Sequence, residues 1–255
     1  MRTAARRRDV MLSLVGAVGV VALWEAVARS GVVSPAIFPP PTTALAGSLQ
    51  RIPAVELAEH VLASLGRIAW GFGLGAGLGI LLGIALGWYR WLAALGQPVI
   101  ELIRPIPPLA WIPMAIVWFG LGEPSKVFVI FLGAFFPVFT NAHKGMTSID
   151  PLLLRAAQTM GLGGPRLLFQ VAIPAAMPDL ATGIRVGWGL SFAVVIAAEL
   201  IAADRGMGFM IMRAREFGDV GVIIFGILLI GATNLVTDSA IGEAIRRRVG
   251  RWHAV

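Results

Sequence analysis

At 255 residues, 57% hydrophobic and only 14% charged, with a mean hydropathy of +0.82, the chain is too apolar for a soluble domain; six membrane spans of about 20 residues each would use up its length, leaving no separate soluble domain. The formal charge of +7 would suit nucleic acid, but the arginines cluster beside apolar runs, as at the cytoplasmic edge of a bilayer, so nucleic acid is excluded as a partner. The lack of cysteine excludes disulfides and thiolate metal sites, and His60, His143 and His253 lie far apart, with no zinc-type spacing.

Arg2, Arg6, Arg7 and Arg8 precede an apolar run from Val10 to Leu23, and Ala26-Val27-Ala28 follows. This reads as a cleaved signal peptide or as an uncleaved first span with its arginines held inside, and the membrane character of the rest favours the span. From Ser30 to Ala63 the chain turns polar and proline-rich, with Phe38-Pro39-Pro40-Pro41 and the charges Arg51, Glu56 and Glu59. Residues 1–63 are thus expected to hold one span and an external loop carrying some helix. The membrane core, 64–242, opens with a second span from Ile68 to Tyr89. In it Gly71, Gly75, Gly79, Gly83 and Gly87 fall four apart, placing them on one helix face where another helix can approach closely. The spacing fits neither glycine motif for phosphate.

Leu92 to Leu121 is interrupted by Pro98, Pro105, Pro107, Pro108 and Pro113, and such breaks are tolerated in a bilayer only where protein or a water-filled cavity surrounds them. An interfacial segment bearing Glu101 and Arg104 is expected, then a kinked third span ending near Gly120. Gly122-Glu123-Pro124-Ser125 makes a turn. The remaining spans are expected over Lys126–Ala142, Leu180–Ala203 and Val220–Thr237, followed by a basic tail, 243–255, with Arg246, Arg247, Arg248 and Arg251. An internal N-terminus places twelve basic residues inside (Arg2, Arg6, Arg7, Arg8, Arg90, Lys144, Arg155, Arg166 and the four of the tail). Six fall outside: Arg29, Arg51, Lys126, Arg205, Arg213 and Arg215. That asymmetry supports cytoplasmic N- and C-termini.

It also puts residues 151–174 in the cytoplasm, between the fourth and fifth spans. Asp150-Pro151 starts a helix that runs over Leu152–Met160 and stops at Gly161. Gly163-Gly164-Pro165 starts again, and Leu168, Val171 and Ala172 form an apolar stripe beside Leu167 and Phe169, ended by Ile173-Pro174. The stripe needs a cover, either the lipid headgroups or a groove on a soluble partner.

Ala156-Ala157, then Gly161, then Pro174, resembles the EAA cytoplasmic loop of ABC-importer permeases, with Val171 and Ile173 at the family's isoleucine and leucine. In that family the loop docks in the ATPase subunit and transmits ATP-driven closure to the spans. The resemblance therefore implies that Arg155, Ala156, Ala157, Gly161, Leu162, Leu167, Leu168, Phe169 and Pro174 form the ATPase-coupling element. Arg155 stands where the family has a glutamate, which puts that residue's ion pair in question. The stretches Glu101–Lys126, Phe136–Gly145 and Ala197–Phe217 resemble the taurine, alkanesulfonate and nitrate branch, the sulfonate members more than the nitrate ones. Membership implies the all-α, MetI-like permease fold of type I importers, with about six spans and a cytoplasmic coupling helix, in the bacterial inner membrane. It also implies a second permease copy, an ATPase homodimer that binds ATP and Mg, and a periplasmic or lipid-anchored binding protein. No cofactor is implied for this chain.

For the translocation path or gate the sequence offers Arg104, Trp111, Trp188, Glu199, Met207 and Met210, with Trp118, Phe209 and Met212 beside them. Arg104 facing a cavity would attract a sulfonate; otherwise it pairs with Glu101 or snorkels. Glu199, costly in a span, is expected to hold a structural or gating hydrogen bond, to Arg185, Arg205 or a broken backbone, rather than substrate. The methionines suit an outer gate or ordinary packing. Asp204–Asp219, rich in both charge signs, suits a surface for the binding protein or a solvated loop. An intramembrane enzyme would need a paired nucleophile and base, which is not evident, and a Walker-type glycine-lysine sequence is lacking. Ion-coupled transport would rest on Glu199 alone, and a passive channel would need neither ATPase nor binding protein.

Overall fold

The computed structural model describes residues 2–249. The end of the basic tail, with Arg251, lies outside the described residues, as do the side chains of Arg2, Arg6, Arg7, Arg8 and Arg248. All regular structure among the described residues is helical: α1 (Arg2–Arg29), α2 (Pro41–Arg51), α3 (Ala54–Trp88), α4 (Arg90–Ile103), a 3-10 turn (Pro108–Trp111), α5 (Ile112–Phe119), α6 (Glu123–Thr147), α7 (Pro151–Thr159), α8 (Gly164–Leu167), a π turn (Leu168–Ala172), α9 (Ile173–Ala202), α10 (Met207–Glu216) and α11 (Val220–Val249). Prolines start several of these, because the first turn needs no N–H donor: Pro41 in α2, Pro124 in α6 and Pro151 in α7 sit in first turns.

The centre is α6, the most deeply buried of the candidate spans. It lies against α3 along the glycine face read from the sequence. A Cβ built on Gly71 would fall 2.6 Å from Ile130 Cβ; on Gly75, 2.6 Å from the Phe131 carbonyl and 2.9 Å from Ala134 Cβ; on Gly83, 2.5 Å from Ala142 Cβ. Bare backbone on α3 thus meets small side chains and main chain on α6, the close approach that drives helix association where no hydrophobic effect operates. The pairs advance together along both helices, so α3 and α6 run parallel. On its other side α6 packs antiparallel to α9, where Gly183 lies against Asn141 and Gly187 against Val138.

Two parallel neighbours require the chain between them to cross back. It does so through α4 and α5, which meet at 82° about the Pro105–Pro108 break. Among the described residues four helices are long and apolar enough to cross a bilayer, and five if this bent pair counts as one span. Helix α1, 28 residues, carries the first apolar run, and its described valines and leucines are exposed. It is joined to α2 through Glu25, which accepts from Thr42 Oγ1 at 2.6 Å and from Thr42 N–H at 3.2 Å. Helix α2 in turn reaches the start of α11 through Arg51 and Asp219 (2.6 Å).

Three boundaries differ from the sequence reading. The second span begins at Ala54, so residues 54–63 are its first turns rather than loop. Residues 243–249 continue α11 instead of forming a separate tail. Most consequentially, Ile173-Pro174 does not end the helix begun at Gly164: Gly164–Ile201 is one apolar helical span. Pro174 cannot donate to the carbonyl four residues back, and just before it the helix widens into the π turn, with Ile173 N–H donating to Leu168 O. That shift of register lets the helix pass the proline.

The glycine seam predicts a contrast within α3. Gly75→Ala should cost about 1–3 kcal/mol by overpacking, read as a lower melting temperature in detergent. Gly73→Ala, two positions away with nothing within 4 Å of its built Cβ, should leave it unchanged or slightly raised.

Candidate functional site

Beyond the outer glycine, the same face of α3 carries Arg67, Ser64 and His60, and there the packing turns polar. Glu199, near the end of α9, is 1% exposed and Arg67 is 4% exposed. Arg67 Nη1 donates to Glu199 Oε1 (2.7 Å) and to the carbonyl of Arg205 (2.6 Å). Its Nε and Nη2 form a two-pronged fork on Glu123, at 2.6 and 2.7 Å, at the start of α6. Lys126, also buried, sits 3.4 Å from the same carboxylate. Two cations thus face two carboxylates.

The rest of Glu199 is committed to α10. Ser64 Oγ donates to Glu199 at 2.7 and 2.9 Å and accepts from Met207 N–H at 2.9 Å. Gly208 N–H donates to Glu199 Oε2 (2.9 Å), and Gly206 N–H donates to His60 Nδ1 (3.1 Å). The first amides of a helix have no partners within it and carry its positive end. Here side chains of α3 and α9 supply the acceptors, and the one carboxylate lies where the helix dipole favours it. Gly206 makes the entry possible: its φ is +134°, and a Cβ there would collide with the Glu199 carboxylate. Removing two charges from water costs several kcal/mol each, so the pair is tolerable only with its hydrogen bonds filled. What results is a clamp holding α3, α6, α9 and α10 at one end of the molecule, with little freedom for chemistry.

The sequence singled out Glu199 and expected a structural hydrogen bond; the Gly208 amide at the α9–α10 break supplies the backbone donor, whereas the side-chain partners are Ser64 and Arg67. Arg185 pairs with Asp238 instead, and Arg205 contributes its carbonyl, not its guanidinium. Arg67, Ser64, His60 and Glu123 were missed. The signal that would have found the first three is positional, since they continue the glycine face of α3 in steps of three or four; Glu123, on α6, has no such signal.

The other path candidates do not gather around Glu199. Met207 is fully buried among Ile68, Ile112, Val129 and Val195, whereas Met210 packs with Ala214, Val222 and Phe225. Trp188 donates from Nε1 to Thr237 Oγ1 (3.1 Å) and packs edge-on against Phe72. Trp111 lies beside Trp118, ring centres 6.2 Å apart, with its Nε1 buried and without a partner among the described residues. Arg104, at the α4–α5 bend, is exposed and forms no ion pair among the described residues; Glu101 instead accepts from Gln97 (2.8 Å).

At the opposite end lies the 151–174 segment. Asp150 caps α7 by accepting from Leu152 N–H (2.8 Å). Gly161, with φ +86°, closes it: Leu162 N–H donates to Ala157 O and Gly161 N–H to Gln158 O, the paired bonds of a Schellman ending. The apolar stripe divides. Ala157, Leu167, Leu168 and Ala172 are buried in their own chain, Leu168 and Ala172 in one cluster with Ala142, Met146 and Leu180. Leu152, Leu153, Met160 and Phe169 face outward, at 70%, 45%, 83% and 67% exposure, together with Arg155 and Ala156. Leu162 and Pro174 are half-buried. The half of the stripe read as seeking a cover has one already, on α6 and α9.

Residues 75–251 match the family described as binding-protein-dependent transport system inner membrane component. The chain is 37% identical over 251 residues to the taurine transport system permease protein TauC of Escherichia coli (strain K12), covering 96% of this chain and 91% of that one. It is 34% identical to the putative aliphatic sulfonates transport permease protein SsuC of Bacillus subtilis (strain 168), over 91% of this chain and 84% of the relative. It is 31% identical to the bicarbonate transport system permease protein CmpB of Synechocystis sp., over 92% and 88%.

The clamp predicts that charge must be removed in pairs. Arg67→Met, leaving Glu199 buried without its cation, should destabilise the protein by about 3–5 kcal/mol. Arg67→Met with Glu199→Gln should lose clearly less than the two single changes added together, as read from melting in detergent.

Proposed function

The chain belongs to the binding-protein-dependent transport system inner membrane components, and from that premise we propose that it is the membrane subunit of an ATP-driven importer of taurine or a related aliphatic sulfonate. The observation that carries the substrate is the near full-length similarity to a taurine permease, supported by the aliphatic sulfonate relative. A second reading, an inorganic anion, rests on the bicarbonate relative; nitrate belongs to the same class. Ion-coupled transport finds little support, because Glu199 is held by Ser64, Arg67 and the Gly208 amide and is not free to carry an ion.

In this reading the Gly161 end faces the cytoplasm and the Glu199 end faces outward, with both termini cytoplasmic, in the bacterial inner membrane. Two copies of the chain assemble with two ATPase subunits, which bind ATP and Mg; the permease itself carries no ATP chemistry. Helix α10, with the charged residues from Asp204 to Asp219, lies where a binding protein would deliver substrate. The outward-facing Leu152, Leu153, Met160 and Phe169, with Arg155 beside them, are the surface offered to the ATPase. Arg155 supplies a cation where the family has a carboxylate, so it calls for an acidic partner.

The uninterrupted helix from Gly164 to Ile201 gives the coupling a mechanical form. Its first turns, carrying Phe169, sit at the ATPase end, and its last turn carries Glu199. Closure of the ATPase pair would move that helix as a lever, and α10, tied to it through Glu199, would follow. This is alternating access with the outer clamp as one end of the moving part.

A cysteine at Phe169 should cross-link to the ATPase subunit in the assembled complex. A cysteine at Leu167, 4% exposed, should cross-link far less. Equal capture at both positions, or at neither, would remove the docking assignment. Reconstituted with its ATPase and binding protein, the complex should take up labelled taurine in an ATP-dependent way, and Gly161→Trp should leave it assembled but uncoupled. Uptake that persists without ATP would refute the importer reading.

A further inference from the structure

Among the described residues the pair that joins α9 to α11 is built unlike the clamp. Arg185 of α9 donates from Nη2 to Asp238 Oδ2 of α11 (2.7 Å) and from Nε to Oδ1 (3.3 Å). The two side chains are 53% and 31% exposed, against 4% and 0% for Arg67 and Glu199. Nη1 of Arg185 has no partner among the described residues, whereas every nitrogen of the Arg67 guanidinium is engaged. The pair lies on the wall of a cleft of about 670 Å³ between α9 and α11, lined also by Thr182, Val186, Ser239 and Arg246. Gly242 borders the same cleft beside the guanidinium. One turn away the bond from Trp188 to Thr237 pins the two helices.

Counted along the helix, Arg185 lies about 24 Å from the Ile201 end of its span, so a hydrocarbon layer about 30 Å thick that begins there still encloses it, toward the far side. Charge at that depth is expensive and marks a path for ions or substrate rather than a lipid-facing surface. The sign pattern narrows the ligand. A simple anion on Arg185 would displace Asp238 and leave its carboxylate without its cation. A small zwitterion removes that cost, since its anionic end replaces Asp238 on the guanidinium while its cationic end replaces Arg185 on the carboxylate. One internal ion pair becomes two external ones with no change in net charge.

We propose that the α9–α11 cleft is a transit site for a zwitterionic aminoalkanesulfonate, with the sulfonate on Arg185 and the ammonium on Asp238. This rests on the importer reading and narrows its substrate class to molecules bearing both charges. Guanidinium suits the tetrahedral sulfonate, and the open Nη1 gives it a further donor.

The test compares taurine with ethanesulfonate, which has no ammonium, in the reconstituted complex with the binding protein saturated by each in turn. Asp238→Asn should lower taurine uptake about 10-fold or more, the loss of one charge-assisted hydrogen bond, while ethanesulfonate uptake holds or rises. Arg185→Gln should lower both. ATP hydrolysis stimulated by loaded binding protein should persist in each variant. If Asp238→Asn changes the two substrates alike, the pair is structural and the proposal falls. Should that variant fail to assemble, Ser239→Cys serves in its place, since the chain has no other cysteine. Taurine should slow its alkylation, ethanesulfonate should do so less, and equal or no protection overturns the site. A wild-type complex that takes up neither compound would sink the importer reading itself.

Discussion

The close approach of α3 to α6 is the contact on which the other positions depend. In a bilayer, apolar side chains gain nothing by leaving lipid for one another, so helices associate where backbones can come together and dispersion contacts are dense. Gly71 to Gly87 provide that along most of α3, and α6 answers with Ala134, Ala142 and its own carbonyls. Once the two are fixed in parallel, the broken pair α4 and α5 must carry the chain back, and α9 must fill the other flank of α6. The clamp at Arg67 sits just beyond the Gly71 end of the same seam. Its geometry is therefore inherited from the packing rather than built separately.

Two of the ion pairs between helices show how burial sorts similar chemistry into different uses. Arg67 and Glu199 are enclosed and fully bonded, so their charges organise: they cap α10, close off α3 and tie down α6 through Glu123. Arg185 and Asp238 are open on one side, and a polar ligand can compete for them. An enclosed pair resists exchange because breaking it strands a charge, whereas an open pair can trade partners at little cost if the newcomer brings both signs.

At the other end of the molecule, the division of the 151–174 stripe decides what a partner could touch. Leu168 and Ala172 anchor the segment to α6 and α9, and Phe169, Met160 and Leu152 remain outside. Since α8 runs into α9 through a π turn, Phe169 rides on the same continuous helix that ends beside Glu199. The Schellman ending at Gly161 separates α7 from this lever and lets α7 lie at its own angle.

Much of this was legible in the residues. Helical spans follow from runs of apolar side chains, because backbone groups in hydrocarbon must be satisfied within the segment. The glycine step of four, the proline break between α4 and α5, the Asp150-Pro151 start and the Gly161 stop are local rules, each written in a few neighbouring residues. The family resemblance, too, was carried by short stretches. What the local pattern could not supply was partnership. Arg67 and Glu199 stand 132 positions apart, and nothing near either one names the other. The stripe at Leu167–Ala172 states that something must cover it, not that its own chain does. Pro174 read as a stop because the donor it lacks is a local fact, while the π turn that accommodates it sits in a helix held on both flanks. Sequence therefore determined which segments are helical and where they break, since those depend on each residue's own backbone and solvent preference. Tertiary structure alone decided which charges are enclosed and which stay open, because that depends on what the rest of the chain places beside them.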